Sequence, residues 1–294
     1  MKTFLIAALL MLPCAAQAQE KAKTIVFIGN SFTFGANSAA HYYKPDTVTD
    51  LNGPGATGKT VGGVPAFFKA FTREAGLDYT VSLETVGGKG IDFHFAQKRV
   101  LLDKPWDVVV MHGYSTLDID HPGNPALLVT SAKEMTDMLR ARNRSAEIWL
   151  DATWSRADQT YPDGKPWHGK PIQQMGIDVA AGYAEAAKNA KVTGVVPVGL
   201  AWNRAIDTGV AGDNPYSGIP AGKINLWAWD SYHASAYGYY LEALLVFAKV
   251  TGRDPLVLGD TETVADDMGF SKPQTHALQQ IAHDELAATN QLGQ

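Results

Sequence analysis

The sequence predicts a three-layer α/β fold built on a parallel sheet of about five strands, and three observations carry that prediction. Short apolar runs alternate with helical stretches, the apolar runs are rich in β-branched residues, and glycines stand where helices should stop. Strands are expected at 24–29, 79–86, 107–111, 147–153 and 194–198. A continuous run such as Val108-Val109-Val110 suits a strand covered on both faces, where no polar alternation survives. Helices are expected at 64–76, 91–102, 126–142, 174–191 and 234–252, with Gly76 and Gly252 in C-terminal capping positions. Such alternation calls for right-handed crossovers and helices on both faces of the sheet. No repeat or linker interrupts residues 19–294, which read as one domain.

Composition narrows the function classes. The chain has 294 residues, 46% of them apolar and 19% charged, which is enough to bury a core without covalent staples. A net charge of −5 has the wrong sign for a protein that gains affinity by neutralising phosphates, so no nucleic-acid partner is expected. The only long apolar run, 4–16, is too short to span a bilayer. It follows Lys2 and ends in Ala16-Gln17-Ala18, the grammar of a secretory signal peptide over residues 1–18. Cleavage would remove Cys14, the single cysteine, leaving a mature chain without disulfides. That combination fits an exported bacterial enzyme, periplasmic or secreted, better than a disulfide-stapled module. Pro13 replaces the small residue that a lipid-attachment site at Cys14 would prefer, so a lipoprotein is not expected.

Three stretches fall outside the alternation and read as loops: 36–63, 154–171 and 207–228. In open α/β sheets, loops beyond the carboxyl ends of the strands wall the ligand cleft. They hold Trp154, Trp167 and Trp227, with Trp229 beside an edge. Each tryptophan either plugs its loop onto the body or lines a site for a sugar or an acyl chain.

The first expected strand breaks into the small polar turn Gly29-Asn30-Ser31-Phe32-Thr33. A serine there lies at the ligand-binding edge, where Gly29 permits a tight path and the following amides can meet an incoming oxygen. Ser31 alone is only a candidate helix cap. A serine hydroxyl becomes a nucleophile when an imidazole takes its proton, and the imidazole needs a carboxylate to fix its tautomer. Trp229-Asp230-Ser231-Tyr232-His233 supplies both, three residues apart and just ahead of a long apolar helix.

With these two motifs the chain resembles the SGNH (GDSL-like) hydrolase superfamily, in a GNSFT-type form. The resemblance implies a three-layer α/β/α, flavodoxin-like esterase fold, with Ser31 as nucleophile and Asp230 and His233 completing the triad. It also implies an oxyanion hole made by the Ser31 amide, a glycine after the second strand and an Asn side chain after the third. The glycine would be Gly88, with Gly87 and Gly90 as neighbouring alternatives. The stretch Met111-His112-Gly113-Tyr114-Ser115-Thr116 departs from the pattern because it holds no Asn or Gln. His112 or Ser115 would then donate in its place, since an imidazole N–H and a hydroxyl both can.

Gly53-Pro54-Gly55-Ala56-Thr57-Gly58-Lys59-Thr60 matches the phosphate-cradling G-x-x-x-x-G-K-T pattern, but a polar segment precedes it and Val61-Gly62-Gly63-Val64-Pro65 follows. The pattern needs a buried strand before it and a helix after it, so nucleotide binding is not expected. Histidines 121, 168, 276 and 283 form no recognisable ligand spacing, and neither a metal nor a cofactor is expected. His94 would either approach the cleft or face solvent. The resulting expectation is an exported serine esterase that removes short acyl groups, such as acetyl, from a carbohydrate or similar polar ester. The alternatives are a lipase or thioesterase of the same type, or a noncatalytic carbohydrate-binding protein on the same scaffold.

Overall fold

In the strand β1 (Lys23–Gly29), Ile25 and Phe27 enter one hydrophobic core while Val26 and Ile28 enter another. A pleated strand sends successive side chains to opposite faces, so a strand apolar on both must be covered on both. The computed structural model describes residues 22–54 and 60–289. Five further strands join β1: β2 (Thr49–Asp50), β3 (Tyr79–Thr85), β4 (Val108–Met111), β5 (Glu147–Asp151) and β6 (Gly194–Val196). All pairings are parallel, in the order β2-β3-β1-β4-β5-β6.

The sheet therefore has six strands rather than five. The additional β2 lies inside the 36–63 stretch read as loop and pairs only Thr49 with Ser82 and Asp50 with Leu83. Two residues carry no periodicity by which a sequence could reveal them. Residues 55–59 of the phosphate-loop-like pattern, and the 1–18 segment with Cys14, lie outside the described residues.

The helices are α1 (Gly63–Glu74), α2 (Ile91–Gln97), α3 (Arg99–Leu102), α4 (Ala126–Arg142), α5 (Ala157–Thr160), α6 (Gln173–Ala190), α7 (Val198–Asp207), α8 (Ala236–Thr251), α9 (Thr263–Asp267) and α10 (Lys272–Ala288). Residues of α1, α7, α8 and α10 share the core of Ile25 and Phe27, and those of α2, α4 and α6 share the core of Val26 and Ile28. The three layers follow from that division. Gly76 and Gly252, at φ 70° and 68°, stop α1 and α8 as expected. The 91–102 helix is instead two pieces, α2 and α3, meeting at Lys98.

Helices α7 and α10 are absent from the sequence reading for different reasons. The apolar start of α7, Val198, reads as the end of the preceding strand. In α10 a polar run hides the apolar stripe of Leu278, Ile281, Ala282 and Leu286, although Ser271 and Gln274 form a reciprocal capping box at its start. Among the described residues no helix is long and apolar enough to cross a membrane.

Strand order decides where a ligand can bind. The chain runs from β1 to β3 on one side and then crosses to β4 on the other, so a crevice opens beyond the carboxyl ends of β1 and β4.

Candidate active site

The serine turn leaves β1 at that crevice. Gly29 is required there because a Cβ would run into Thr33 Oγ1 and the His112 ring. Asn30 then ties the turn to both neighbouring strand ends. Its Oδ1 accepts the Phe32 amide at 3.1 Å, and its Nδ2 donates to the carbonyls of Lys89 at 2.9 Å and Gly113 at 3.3 Å. The Ala36 amide closes the turn on the Ser31 carbonyl at 3.0 Å. The Tyr239 hydroxyl, from α8, donates to the carbonyls of Ser31 and Ala36 at 3.2 and 3.1 Å. Burial raises the Tyr239 pKa well above its ordinary value, which keeps that donor protonated.

His233 Nε2 lies 2.9 Å from Ser31 Oγ, and His233 Nδ1 lies 2.6 Å from Asp230 Oδ2. A carboxylate only accepts, so Nδ1 carries the proton and Nε2 turns its lone pair to the serine hydroxyl. Asp230 Oδ1 accepts the backbone amides of Tyr232 at 3.1 Å and His233 at 3.0 Å. Partial burial pushes the Asp230 carboxyl up, but His233 and the two amides outweigh it and hold the group below its usual range. The loop achieves this geometry with Ser231 at φ 58°. Ser31, Asp230 and His233, expected together from two distant motifs, are therefore brought into one hydrogen-bonded line.

An aromatic stack underlies both motifs. Phe32 stacks on Trp154 with ring centroids 4.1 Å apart, Trp154 on Trp202 at 4.8 Å, and Trp202 meets Trp227 edge-on at 5.3 Å. Trp154 Nε1 donates to the Tyr232 carbonyl, between Asp230 and His233. Trp227 Nε1 donates to Ser155 O and Trp167 Nε1 to Asp178 Oδ2. Trp154, Trp167 and Trp227 are buried and offer no face to a ligand, which corrects their assignment to substrate binding. They plug loops onto the core, as buried aromatics with a satisfied N–H do. Trp229 differs, at 83% exposed.

The expected oxyanion donors separate in the same way. Gly88 sits in a turn at φ 71°, next to Lys89, whose carbonyl Asn30 holds. Gly87 is exposed in the same turn, whereas Gly90 is pressed against the Tyr114 ring. His112 is buried with both ring nitrogens engaged, Nε2 with Thr33 Oγ1 at 2.7 Å and Nδ1 with the Gly113 carbonyl at 3.0 Å. Burial lowers its pKa to about 4, so the ring is neutral with its one proton on Nδ1. His112 has no donor left for a substrate oxygen, and the expectation that it could replace the Asn is overturned. Ser115 Oγ accepts from Arg156 Nη1 at 3.2 Å and keeps its own proton to give. That arginine is forked by Asp158 and lies 3.6 Å from the centre of the Tyr232 ring.

His94 neither approaches the cleft nor faces solvent. It is fully buried, with Nδ1 2.5 Å from Glu84 Oε2. Among the described residues no three His, Cys, Asp or Glu side chains are grouped to hold a metal ion. Asn37 escaped the sequence reading, lying unmarked in a presumed loop. Its Nδ2 is 2.7 Å from Asp230 Oδ2, and its backbone is left-handed at φ 59°. An Asn six positions after the serine was the available signal, and one Asn in a loop points nowhere without the partner. A groove lined by Phe34, Asn37, Ser38, His41, Tyr42 and Trp229 opens beside this contact.

The parallel sheet with helices on both faces is a three-layer α/β/α architecture. The chain is similar in structure to a DUF4886 family protein from Bacteroides uniformis, with TM-score 0.61 and 16% identity over 92% of this chain and 96% of that one. It is also similar to a structure described as a GDSL-like lipase from Parabacteroides merdae, with TM-score 0.55 and 16% identity over 80% and 98% of the two chains. A third is the lipase Lip_vut3 from a goat rumen metagenome, with TM-score 0.50 and 9% identity over 77% and 97%. No protein-family model matches the sequence, and no curated protein matches it. At these identities the likeness is one of fold.

Proposed function

We propose that the protein is a serine ester hydrolase of the SGNH (GDSL-like) type, in a GNSFT-form branch, working through an acyl-enzyme. The observation that carries this reading is the line Ser31 Oγ, His233 Nε2, His233 Nδ1, Asp230 Oδ2, with contacts of 2.9 and 2.6 Å. Ser31 Oγ attacks the ester carbonyl as its proton passes to His233 Nε2. Asp230 stays ionised and holds the imidazolium by Nδ1. His233 returns the proton to the departing alkoxide, and a water activated by the same nitrogen then releases the acid. The Ser31 and Gly88 amides, with the Ser115 hydroxyl, receive the negative charge on the carbonyl oxygen.

The substrate is a short acyl group, such as acetyl, on a carbohydrate. Trp229, 83% exposed, and Tyr42, 70% exposed, support this, because flat rings beside polar Asn37 and Ser38 suit the apolar face of a sugar. The chain is exported after loss of residues 1–18, and residues 19–294 act as one domain. Turnover of aryl esters from acetate to octanoate, measured beside acetate release from acetylated polysaccharides, tests the reading. Ser31→Ala should abolish turnover, leaving only a small residue from binding and the oxyanion donors, with an unchanged circular dichroism spectrum. Ordinary activity in folded Ser31→Ala would remove the mechanism. Wild-type protein that binds polysaccharide but cleaves no ester would be a binding protein.

A further inference from the structure

We infer that Asn37 is a positioning residue that clamps the Asp230-His233 loop to the serine turn; its effect on turnover rests on the esterase reading above. The two motifs lie 193 residues apart in sequence between Asn37 and Asp230, and Asn37 belongs to the segment that carries the nucleophile. From Ser31 the chain runs through Gly35 at φ 76° to Asn37 at φ 59°, held by the Ala36 amide on Ser31 O and by the Tyr239 hydroxyl. This path aims the Asn37 amide at the far loop.

Asp230 Oδ2 accepts two donors, His233 Nδ1 at 2.6 Å and Asn37 Nδ2 at 2.7 Å. Because Nδ1 carries a proton, the 3.3 Å approach of Asn37 Nδ2 to that nitrogen is a contact between two donors and adds no bond. Asn37 therefore acts on the imidazole through the carboxylate. With Oδ1 held by the Tyr232 and His233 amides, the Asn37 bond removes the remaining freedom of the carboxylate to swing about its own loop. It also fixes that loop to the nucleophile's own segment. A misplacement of about 1 Å in reacting groups can cost about 100-fold in rate, so a clamp between the two motifs controls the chemical step more than substrate binding.

Other charged or titratable groups near this pair stand on different contacts. Tyr232 packs on the His233 ring, Arg156 lies over Tyr232, and Tyr239 reaches the serine turn from α8. Among the described residues, Asp230 Oδ2 is bonded to Asn37 and His233 and to none of these three.

The test uses Asn37→Gly, which keeps the left-handed backbone and deletes only the amide, and Asn37→Asp, which keeps the shape and replaces the donor with a charge facing Asp230. Three readouts are taken on the full protein: kcat and KM for an aryl acetate, the rate at which a fluorophosphonate labels Ser31, and the downfield proton NMR signal of His233 Nδ1–H. The expected result for Asn37→Gly is a 10- to 100-fold fall in kcat and in labelling rate, KM within about twofold, and a displaced Nδ1–H signal. Asn37→Asp should lose at least as much. Asn37→Gly with wild-type kcat and an unmoved signal would overturn the clamp. If wild-type protein cleaves no ester and takes no label, the esterase reading fails. The NMR signal still decides the clamp, displaced if Asn37 bonds to Asp230 and unmoved if it does not.

Discussion

His112 Nε2 accepts the Thr33 hydroxyl at 2.7 Å, fastening the end of β4 to the serine turn through two buried side chains. The bond makes His112 part of the scaffold. A neutral buried imidazole with pKa near 4 contributes stability that is full above the unfolded value of about 6.5 and is lost as pH falls toward 4. The gap corresponds to about 3 kcal/mol for a fully buried ring. His112→Gln should flatten the acid side of the stability curve. Urea midpoints at pH 4, 5, 6 and 7 for both proteins check this, and parallel curves would refute it.

Asp230→Asn tests the orienting carboxylate. An amide can donate to Nδ1 and favour the wrong imidazole tautomer, so kcat should fall by roughly 1,000- to 10,000-fold. Melting temperature should change little, because the Asn oxygen can still accept the Tyr232 and His233 amides. Steady-state kinetics beside a thermal melt measure both. A rate within tenfold of wild type would mean that another group orients His233.

Asp151, at the end of β5, and Glu242, in α8, are buried against one another. Burial raises both carboxyls above the ordinary carboxylate range, and for Glu242 the Asp151 charge adds to it. The raised folded values mean that the pair's contribution is full below the unfolded values of about 4 and is lost as pH rises through the higher folded ones. Glu242→Gln removes one of the two ionisations. Its urea midpoint should therefore drop less than that of wild type between pH 5 and pH 9, and an equal drop would refute the shared burial cost.

Of the four tryptophans considered for substrate binding, Trp229 is the one that stays exposed. Loss of a stacked ring should raise KM for an acetylated polysaccharide about tenfold in Trp229→Ala, a typical loss for one aromatic face. The aryl acetate, which carries no sugar to stack on Trp229, should be affected far less. Equal effects on both substrates would assign Trp229 to the triad loop rather than to a sugar.

By itself the sequence determined the layered α/β fold and singled out Ser31, Asp230 and His233 as the candidate catalytic residues. β1 and β4 are legible because burial on both faces makes them continuously apolar, and the GNSFT and D-x-x-H motifs are legible because each is a short local turn. Tertiary structure alone decided the rest. β2 exists only through pairing with β3, and α10 hides its apolar stripe among polar residues. Whether a loop tryptophan is a wall or a plug depends on what packs against it, so Trp154 and Trp227 are buried beneath the site while Trp229 is not. His112 lost its expected role because Thr33 and Gly113 occupy both nitrogens, and Asn37 gained one because a left-handed turn aims it across the cleft. Local preferences act within a few residues, whereas a donor's availability depends on partners brought near from anywhere in the chain.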